Sequence, residues 1–446
     1  MVFDPLTSPL LTDLYQLTML QGYVEEGMNE TAVFELFVRK LPPTRGFLMS
    51  AGLESVLDFL ERLSFSEEEV SFLAKTGRFS DKLLDYLRRF RFTGNVHALP
   101  EGTVFFENEP IIRITAPLPE AQFVETRLMN LLHLQILLAS KAARCVLAAA
   151  GRSGLVDFGL RRTHGAEAGL FAARSSFVAG FAASSNVLAE SLFAIPVSGT
   201  MAHSFVESHE DEGEAFIRFA FANPDNVTLL IDTYDTLEGA RKAVETSKYL
   251  RERGIGVQAV RLDSGDLLRL SLQVRQILDA GGLAEVKIFV SGNMDEYAIA
   301  ELLDGGAPID GFGVGTKLDT SEDAPYLECA YKLMEYAGRP RLKKSEGKAT
   351  WPGRKQVFRS YEEGRMRGDL LTLDGDVQAG IPLLKPVMKD GERLSEPRSL
   401  KEIASVAKDQ LDALPVSLRM LKTEAYPVMI SDALNRLRES TEEALG

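Results

Sequence analysis

Cysteine is nearly absent from this chain, and its scarcity excludes two classes of protein. Cys145 and Cys329 are the two cysteines among 446 residues. Two thiols cannot build a disulfide framework, and they cannot supply the four thiolates of a structural zinc site. We expect both to be free thiols in a reducing compartment, which predicts a cytoplasmic protein.

Positive charge is also in deficit. The sequence has 50 Lys and Arg residues against 64 Asp and Glu residues, and its formal net charge is −14. A chain this acidic repels nucleic acids and anionic membranes as a whole, so we expect neither as a partner. An anionic substrate would therefore have to enter a pocket that is locally basic.

Long uncharged runs are missing too. The most apolar stretch, residues 128–140, is followed directly by Lys141 and soon by Arg144. A membrane-spanning helix needs about 20 apolar residues, so this stretch predicts a buried helix instead. The N-terminus carries Asp4 and Asp13 and no early Lys or Arg, which is not the pattern of a secretory signal.

The chain does contain enough apolar residues for a large core. Hydrophobic residues make up 45% of the sequence and aromatic residues 8%, which is typical of a folded globule. At roughly 100–200 residues per domain, the length fits two domains or one enlarged barrel.

Strand-like and helix-like runs alternate through the middle of the chain. Residues 11–27 and 51–90 have helical spacing, 93–117 predict a small β-meander, and 119–150 predict a long helix. Short apolar runs follow at 155–158, 195–198, 228–231, 257–260, 286–290 and 309–312, with predicted helices over 185–193, 235–252, 266–280 and 295–304. This alternation predicts parallel βα units, and about six or seven of them favour an α/β barrel.

The predicted fold class is therefore α/β, an irregular α/β barrel of parallel strands with a smaller α+β domain. We predict an N-terminal α+β domain over residues 1–118 and the barrel over 119–350. Residues 351–446, with predicted helices near 398–412 and 430–444, should pack on the N-terminal domain.

Polar and glycine residues follow each predicted barrel strand. They are Asp157, Phe158, Gly159 and Arg161; Gly199, Thr200 and His203; Asp232 and Asp235; Arg261 and Asp263; Ser291, Gly292 and Asn293; and Gly313, Gly315 and Thr316. The active site of an α/β barrel lies at the carboxyl ends of its strands. A solvated turn or a helix cap is the alternative interpretation of any single end, but polar ends on strand after strand predict a site.

Two of these turns, 290–293 and 311–316, carry glycines late in the predicted barrel. Glycine lets backbone N–H groups approach phosphate oxygens closely, so both turns are candidates for binding phosphate. Residues 311–317 do not form a Walker A loop, because its spacer before Gly-Lys-Ser/Thr is missing. Glycines in a tight βα turn are the alternative interpretation.

Residues 339–359 reverse the negative charge of the chain. The cations are Arg339, Arg341, Lys343, Lys344, Lys348, Arg354, Lys355 and Arg359, against Glu346 alone. A solvated basic loop and a clamp on a polyphosphate are both open interpretations. Nucleic acid is disfavoured, because aromatic side chains that could stack on bases are sparse there.

Taken together, these motifs resemble the nicotinate phosphoribosyltransferase family. The matching segments, in the order of the family, are 12–19 (TDLYQLTM), 157–162 (DFGLRR), 184–186 (SSN), 199–204 (GTMAHS), 232–235 (DTYD), 261–266 (RLDSGD), 311–317 (GFGVGTK) and 344–348 (KSEGK). The resemblance implies an α/β barrel with a smaller domain, and a homodimer with active sites at the subunit interface. Cys145 is the one departure, and a small apolar residue would serve equally well at that helical position.

The resemblance also implies a reaction. Nicotinate and phosphoribosyl pyrophosphate would give nicotinate mononucleotide and pyrophosphate, in the synthesis of NAD from nicotinate. ATP would act as a co-substrate through a phosphohistidine, with Mg²⁺ (magnesium) required and its protein ligands left open. By alignment with the family, His203 is that histidine, and Asp263 and Asp232 are the other catalytic candidates.

Candidate roles in binding follow from residue chemistry and from the resemblance. Phe158 can cover one face of a flat ring, and the resemblance places Tyr15 of a partner subunit on the other. Arg161 can grip a carboxylate through two parallel hydrogen bonds, with Arg261 as a second candidate. Ser185 lies where relatives that use nicotinamide carry an aspartate. The other substrate-binding candidates are Thr200, Ser291, Gly292, Gly313, Gly315 and Lys344, with Ser291 and the glycines suited to the 5′-phosphate.

Other functions stay open at this point. A similar fold could use nicotinamide or quinolinate, and the chain could be a catalytically silent nucleotide-binding or regulatory protein. The intact set of Arg161, His203 and Asp263 argues against a silent protein.

Overall fold

The structure is a computed structural model that describes residues 6–345, 350–421 and 424–445. Helices and strands are numbered along the chain. The helices are α1 Leu14–Glu26, α2 Leu53–Arg62, α3 Glu67–Lys75, α4 Asp81–Arg88, α5 Leu118–Phe123, α6 Glu125–Ala149, α7 Ala166–Ala179, α8 Val187–Phe193, α9 His203–Glu207, α10 Glu212–Ala222, α11 Thr236–Arg251, α12 Leu267–Ala280, α13 Glu296–Asp304, α14 Thr316–Asp319, α15 Leu400–Asp412, α16 Val416–Arg419 and α17 Asp432–Ala444. The strands are β1 Thr31–Val38, β2 Leu48–Met49, β3 Asn95–Ala98, β4 Val104–Phe105, β5 Pro110–Pro117, β6 Gly154–Asp157, β7 Ala183–Ser184, β8 Thr228–Leu230, β9 Ala259–Leu262, β10 Lys287–Val290, β11 Gly311–Val314, β12 Cys329–Tyr336, β13 Arg339–Pro340, β14 Lys355–Glu362, β15 Arg365–Leu373, β16 Ile381–Pro382, β17 Lys385–Lys389, β18 Glu392–Arg393 and β19 Val428–Ile430.

The region over 51–90, where the spacing predicted helices without marking their ends, consists of α2, α3 and α4. Ser66 accepts a hydrogen bond from the Glu69 backbone N–H, and the Glu69 side chain accepts one from the Ser66 N–H, so a capping box begins α3. Ser80 accepts a hydrogen bond from the Leu83 N–H and begins α4. Such caps satisfy the free N–H groups of a first turn. Apolar periodicity runs on across both caps, so periodicity alone does not reveal the breaks.

Residues Leu138–Pro325 form one compact unit built on a parallel sheet. The strand order is β7-β6-β11-β10-β9-β8, and each pairing between these strands is parallel. The strand bodies are apolar and buried, including Val260, Ile288 and Phe312. Parallel strands are typically covered on both faces and therefore read as continuous apolar runs. The predicted α/β class is confirmed.

This unit differs from the prediction in one predicted strand and in several elements that were not predicted. At 195–198, where the pattern predicts a strand, the described residues contain a single parallel bridge between Val197 and Ser184. The pattern does not predict β7, α7 or α10. Strand β7 has only two residues, and α7 buries Arg174, Ser175 and Ser176, so neither element has a clean apolar period.

The described residues of Met1–Leu137 and Tyr326–Gly446 form the other compact unit. It contains one sheet of order β13-β12-β1-β5-β3-β17-β18 and another of order β16-β14-β15-β19. Strand β12 pairs with β1, and β17 pairs with β3, both antiparallel. The chain passes from one unit to the other between Leu137 and Leu138 and again between Pro325 and Tyr326. The sequence predicted domain boundaries near 118 and 350. Pairing between strands far apart in sequence leaves no local mark at a boundary.

Several cations of the 339–359 segment are held by carboxylates inside this unit. Arg359 and Asp369 form a fully buried ion pair, with Nη2 and Oδ2 2.6 Å apart. Lys355 Nζ lies 2.8 Å from Glu35 Oε2, and Arg354 Nη2 lies 2.7 Å from Glu335 Oε1. Lys355 and Arg359 are buried in these pairs and are therefore not available to clamp a polyphosphate, which removes that interpretation for those two residues. Arg354 is still 42% exposed. Glu346 and Lys348 lie outside the described residues.

Helix α6 contains the apolar stretch noted in the sequence. By length and composition alone it could cross a membrane, but most of its apolar stretch is buried inside the protein. Two of its cationic side chains are buried against one carboxylate, since Lys141 Nζ lies 2.6 Å from Glu296 Oε2 and Arg144 Nε lies 2.8 Å from Glu296 Oε1. This is the pattern of a core helix, as the sequence predicted.

Candidate active site

A cavity of about 670 Å³ lies at the carboxyl ends of the strands in the Leu138–Pro325 unit. Residues that follow β6, β9, β10 and β11 meet there, because parallel strands end at the same edge of their sheet. The cavity is lined by Phe158, Leu160, Arg161, Arg162, Ser185, Gly199, Thr200, Met201, Ala202, His203, Arg261, Asp263, Ser291, Gly292, Asn293, Gly313, Gly315 and Thr316. The structure thus brings most of the predicted site residues into one place.

Arg261 is the most heavily hydrogen-bonded residue of the cavity wall. Its Nη1 donates to Thr200 Oγ1 at 2.7 Å and to the Met201 carbonyl at 3.0 Å. Its Nε donates to Ser291 Oγ at 2.9 Å, and its Nη2 donates to Asp263 Oδ1 at 3.1 Å. A guanidinium has five N–H donors, and these bonds occupy four of them. Arg261 therefore holds its neighbours in place and has little capacity left for a substrate carboxylate.

Asp263 is an ionised acceptor at the centre of this network. Ser291 Oγ donates to Asp263 Oδ1 at 2.5 Å. Burial raises the pKa of Asp263, but the hydrogen bond from Ser291 and the charge of Arg261 outweigh burial and hold that pKa below its ordinary value. Asp232 lies behind Asp263, outside the cavity lining, and its Oδ2 accepts from the Asp263 backbone N–H at 2.8 Å and from Ser264 Oγ at 2.7 Å.

The two aspartates bear on whether a divalent cation fits here. Asp232 Oδ1 is buried and has no hydrogen-bond partner among the described residues. No cluster of three or more His, Cys, Asp or Glu side chains suited to a metal occurs in the described part of the chain. Mg²⁺ usually takes one or two carboxylates and completes its shell with water and substrate phosphates. Asp263 and the free oxygen of Asp232 fit a cation held in that way.

His203 stands at the start of α9, as the sequence predicted, and lines the cavity. Its Nδ1 lies 3.2 Å from Thr233 Oγ1, and its Nε2 lies 3.9 Å from Asp263 Oδ2. The side chain is 37% exposed, so a group in the cavity can reach the imidazole. The hydrogen bond between Thr233 Oγ1 and His203 Nδ1 holds the orientation of the imidazole ring, so Nε2 points toward Asp263.

The Phe158 ring packs against the backbone of β11 at Gly313. A methyl group at Gly313 would overlap the Phe158 ring, so only glycine allows this approach. The ring of Phe289 packs behind at 5.5 Å between centroids, and the Arg261 guanidinium lies 5.8 Å from the Phe158 centroid. The aromatic face and the glycine turn are therefore parts of one rigid wall.

Arg161 and Ser185 complete the side of the cavity next to Phe158. Arg161 lies in the short 3-10 turn Leu160–Arg162, is exposed, and forms no side-chain hydrogen bond or ion pair with the described residues. Ser185 is anchored through its backbone N–H, which donates to the Asp157 carbonyl at 2.8 Å. Because Arg261 is already occupied, Arg161 is the better placed of the two predicted partners for a substrate carboxylate.

Besides Asp232, three further residues whose roles the sequence suggested, Tyr15, Lys344 and Asp235, do not line this cavity. Tyr15 belongs to the other compact unit, where its hydroxyl lies 3.4 Å from Glu125 Oε2. Lys344 also belongs to that unit, and its Nζ donates to the Glu442 carbonyl at 2.8 Å. Asp235 accepts hydrogen bonds from the first backbone N–H groups of α11, so the alternative interpretation as a helix cap is right there.

Thr233 is a site residue that the sequence reasoning missed. Its position directly after Asp232 in the DTYD segment was the available signal, but a threonine in a turn has many ordinary uses. Leu160, Arg162, Met201 and Ala202 also line the cavity without having been singled out. They are neighbours of predicted residues, so proximity in sequence would have found them.

The fold and the cavity define an α/β protein with an arginine-lined pocket at the carboxyl ends of a parallel sheet. Models described as the N-terminal domain, the family and the C-terminal domain of nicotinate phosphoribosyltransferase match residues 10–133, 154–350 and 377–438. Nicotinate phosphoribosyltransferase pncB2 of Mycobacterium tuberculosis is 50% identical over 428 residues, which cover 95% of this chain and 92% of that protein. This chain belongs to the nicotinate phosphoribosyltransferase family.

Another relative and two solved structures are also similar to this chain. Nicotinate phosphoribosyltransferase of Bacillus subtilis is 41% identical over 374 residues, covering 82% of this chain and 76% of that protein. The crystal structure of human nicotinic acid phosphoribosyltransferase matches with a TM-score of 0.87 and 30% identity, over 96% of this chain and 99% of that chain. The nicotinate-nucleotide pyrophosphorylase of Pyrococcus furiosus matches with a TM-score of 0.75 and 27% identity, over 92% of this chain and 96% of that chain.

Proposed function

We propose that this chain transfers the phosphoribosyl group of phosphoribosyl pyrophosphate to nicotinate and releases pyrophosphate. The observation that carries the proposal is the pairing of Phe158 with an unengaged Arg161 on one wall of the cavity. A flat ring with a carboxylate fits that wall. The glycine turns around Gly292 and Gly313 fit a phosphate beside it. Membership of the family supports both assignments.

The proposed reaction requires that the two reactants are aligned and that the charge on the departing pyrophosphate is stabilised. Displacement at the ribose C1 passes through a cationic, oxocarbenium-like state, and the pyridine nitrogen has a lone pair that needs no general base. The protein therefore has to align two reactants and stabilise the departing pyrophosphate. Phe158 and Arg161 would orient the ring, and Asp263, ionised in the cavity, would face the ribose or a cation.

Mg²⁺ is part of the proposal as a group that neutralises phosphate charge when bound. Asp263 and Asp232 are the residues that would hold it, together with substrate phosphates. Asp232 Oδ1 supports this assignment, because a buried carboxylate oxygen without a donor is costly unless something binds it.

Coupling to ATP through His203 is also part of the proposal. The imidazole lines the same cavity as the proposed phosphate turns, and Thr233 holds its Nδ1. A phosphoryl group on this side chain would add negative charge beside Asp263. That change could reorganise Mg²⁺ and the pyrophosphate site and so tighten substrate binding.

We further propose that the parallel sheet closes toward a barrel. The bridge from Val197 to Ser184 extends the sheet beyond β7. On the other edge, Asn226 precedes β8 and its side chain donates to the Gly199 carbonyl at 3.2 Å. Contacts between the two edges of one sheet support closure.

A product assay with three bases tests the substrate. We expect strong preference for nicotinate over nicotinamide and quinolinate, and formation of nicotinate mononucleotide. Ser185→Asp should lower kcat/KM for nicotinate by about tenfold or more, because two carboxylates would then face each other, and it should raise use of nicotinamide. Ser185→Asn is the matched control for size, so a loss shared by both variants is steric. Equal turnover of nicotinamide by the unmodified protein would contradict the proposal.

Assembly into a homodimer with shared sites has its own test. If Tyr15 reaches the cavity of a partner subunit, mixing inactive Tyr15→Ala protein with inactive Phe158→Ala protein should restore activity, since mixed dimers contain a site with both aromatic rings. Mixing Phe158→Ala with Arg161→Ala is the control and should restore none, because both residues line the same cavity. No recovery in the first mixture, under conditions where subunits demonstrably exchange, would count against shared sites.

A further inference from the structure

Two carboxyl groups that the proposed chemistry does not use are buried next to the cavity wall. Asp157 ends β6 and is 0% exposed, and Asp319 ends α14 and is 3% exposed. Neither lines the cavity. Two acids in a closed space are costly if both are charged, so their arrangement requires a physical cause.

The Asp157 carboxyl group accepts hydrogen bonds through both of its oxygens. Its Oδ1 accepts from the Gly159 backbone N–H at 2.9 Å, and its Oδ2 accepts from Ser184 Oγ at 2.6 Å. Ser184 in turn accepts from the Asn186 N–H at 3.0 Å. Asp157 therefore ties the end of β6 to the end of β7 and to the turn that follows β6.

Asp319 has the opposite character. Neither of its carboxyl oxygens receives a hydrogen bond from a donor among the described residues. Burial and the neighbouring Asp157 carboxylate hold the pKa of Asp319 well above its ordinary value. A protonated carboxyl group is a hydrogen-bond donor, and the Asp157 side chain is the acceptor within its reach.

The position of Asp319 links two walls of the cavity. A methyl group at Gly159 would overlap the Asp319 carboxyl group, so that group lies directly against the turn that carries Phe158 and Arg161. The backbone N–H of Asp319 donates to the Gly315 carbonyl at 3.0 Å. One residue thus touches the ring side of the cavity with its side chain and the glycine turn with its backbone.

We propose that Asp319 is a positioning residue that donates its carboxyl hydrogen to Asp157 and so fastens the 157–161 turn to the 313–316 turn. This role rests on the proposed function, which assigns the first turn to nicotinate and the second to phosphate. Loss of the donor would displace both turns together. The affinities for nicotinate and for phosphoribosyl pyrophosphate would therefore fall in parallel, although Asp319 touches neither.

The charged groups near Asp157 and Asp319 lie on α14, on α7 and on the turn Leu160–Arg162. Helix α14 packs against α7 and the turn Leu160–Arg162. Lys317 on α14 is held by Asp295 at 2.7 Å, and Arg161 and Arg162 on the turn are exposed. Helix α7 carries Arg174, which is buried, and Glu167. Asp157 is the charged group that acts on the Asp319 pKa.

A shared proton has a thermodynamic signature. An aspartate in the unfolded chain loses its proton near pH 3.8, whereas Asp319 in the folded protein keeps it to a higher pH. Its contribution to stability is therefore fully present below about that pH and is lost as the pH rises through the raised pKa of the folded state. Asparagine at this position keeps a donor and cannot lose a proton. As the pH rises from about 3.8 through the raised pKa of Asp319, the unmodified protein should lose stability that Asp319→Asn keeps. The unfolding free energy of the variant should therefore rise relative to that of the unmodified protein.

The experiment compares Asp319→Asn and Asp319→Leu with the unmodified full chain. Asp319→Leu should raise the KM values for nicotinate and phosphoribosyl pyrophosphate together, by about tenfold each, because a buried hydrogen bond is lost. Asp319→Asn should recover most of that loss. Asp225→Asn, an exposed aspartate in the same unit, is the control and should change neither the KM values nor the pH dependence of unfolding.

Three results would overturn the proposal. They are equal KM values for the Asn and Leu variants, a rise in one KM alone, and a stability difference that does not change with pH. If Asp319→Leu fails to fold, the KM values of Asp319→Asn and the pH profile of its unfolding still test the proposal. If the unmodified protein makes no nicotinate mononucleotide, the proposed function fails, and the profile of unfolding tests the shared proton separately.

Discussion

His203→Ala is expected to abolish the ATP hydrolysis that accompanies synthesis and to leave only slow, ATP-independent formation of nicotinate mononucleotide. Without the imidazole, no side-chain nitrogen is left at this position to attack the γ-phosphorus and release ADP. Phe158 and Arg161 remain in the variant, so the ring and its carboxylate can still be held. The full loss of coupling makes this the largest effect that we expect from a single substitution.

The geometry around His203 explains why the phosphoryl group should matter. Thr233 engages Nδ1, and Nε2 faces Asp263 at 3.9 Å. We therefore expect Nε2 to be the acceptor. Phosphorylated side chains carry roughly −1.5 to −2 charges near neutral pH. Such a charge beside the ionised Asp263 would favour a bound cation and a tighter pyrophosphate site.

The measurement uses γ-labelled ATP. Label on the unmodified protein should be labile in acid and stable in base, and it should be missing from His203→Ala. His164→Ala is the matched control, because His164 is an exposed histidine near the same strand ends and should not affect labelling. Label that persists in His203→Ala would assign the role to another residue.

Arg161→Ala is expected to remove most of the preference for nicotinate. A charged, hydrogen-bonded partner in a site closed around its ligand contributes on the order of 2–5 kcal/mol, so kcat/KM for nicotinate should fall by a factor of about thirty to several thousand. Arg261 cannot compensate, because its N–H groups already bind Thr200, Ser291 and Asp263. A neutral amide gains less from the guanidinium, so any use of nicotinamide should suffer less.

Steady-state kinetics with both bases would measure this effect. Arg162→Ala is the matched control, since Arg162 is the adjacent arginine in the same turn and also lines the cavity. We expect a much smaller change in that variant. A similar loss in both variants would mean that general positive charge, and not a specific grip by Arg161, selects nicotinate.

The sequence was sufficient for the parallel α/β unit and for most of its site. Apolar runs near 155–158, 228–231 and 286–290 coincide largely with β6, β8 and β10, and the runs at 257–260 and 309–312 overlap β9 and β11, which begin two residues later. Parallel strands place their carboxyl ends at one edge, so residues predicted from strand ends, such as Phe158, Asp263 and Ser291, do meet in one cavity. The run at 195–198 failed as a strand, because one bridge to Ser184 is all that its surroundings support there.

What each side chain does within that site was decided only by the tertiary structure. The sequence named Arg161 for a carboxylate and Arg261 as a second candidate. In the structure the N–H groups of Arg261 are bonded to its neighbours, whereas the Arg161 side chain has no such partners among the described residues. Asp232 lies behind Asp263, and Asp319 is buried against Asp157, although nothing in its local pattern suggests it. The sequence determined periodicity, capping and the order of the strand ends, because those depend on neighbours along the chain. Which donor meets which acceptor depends on where distant segments return in space, and no local pattern carries that information.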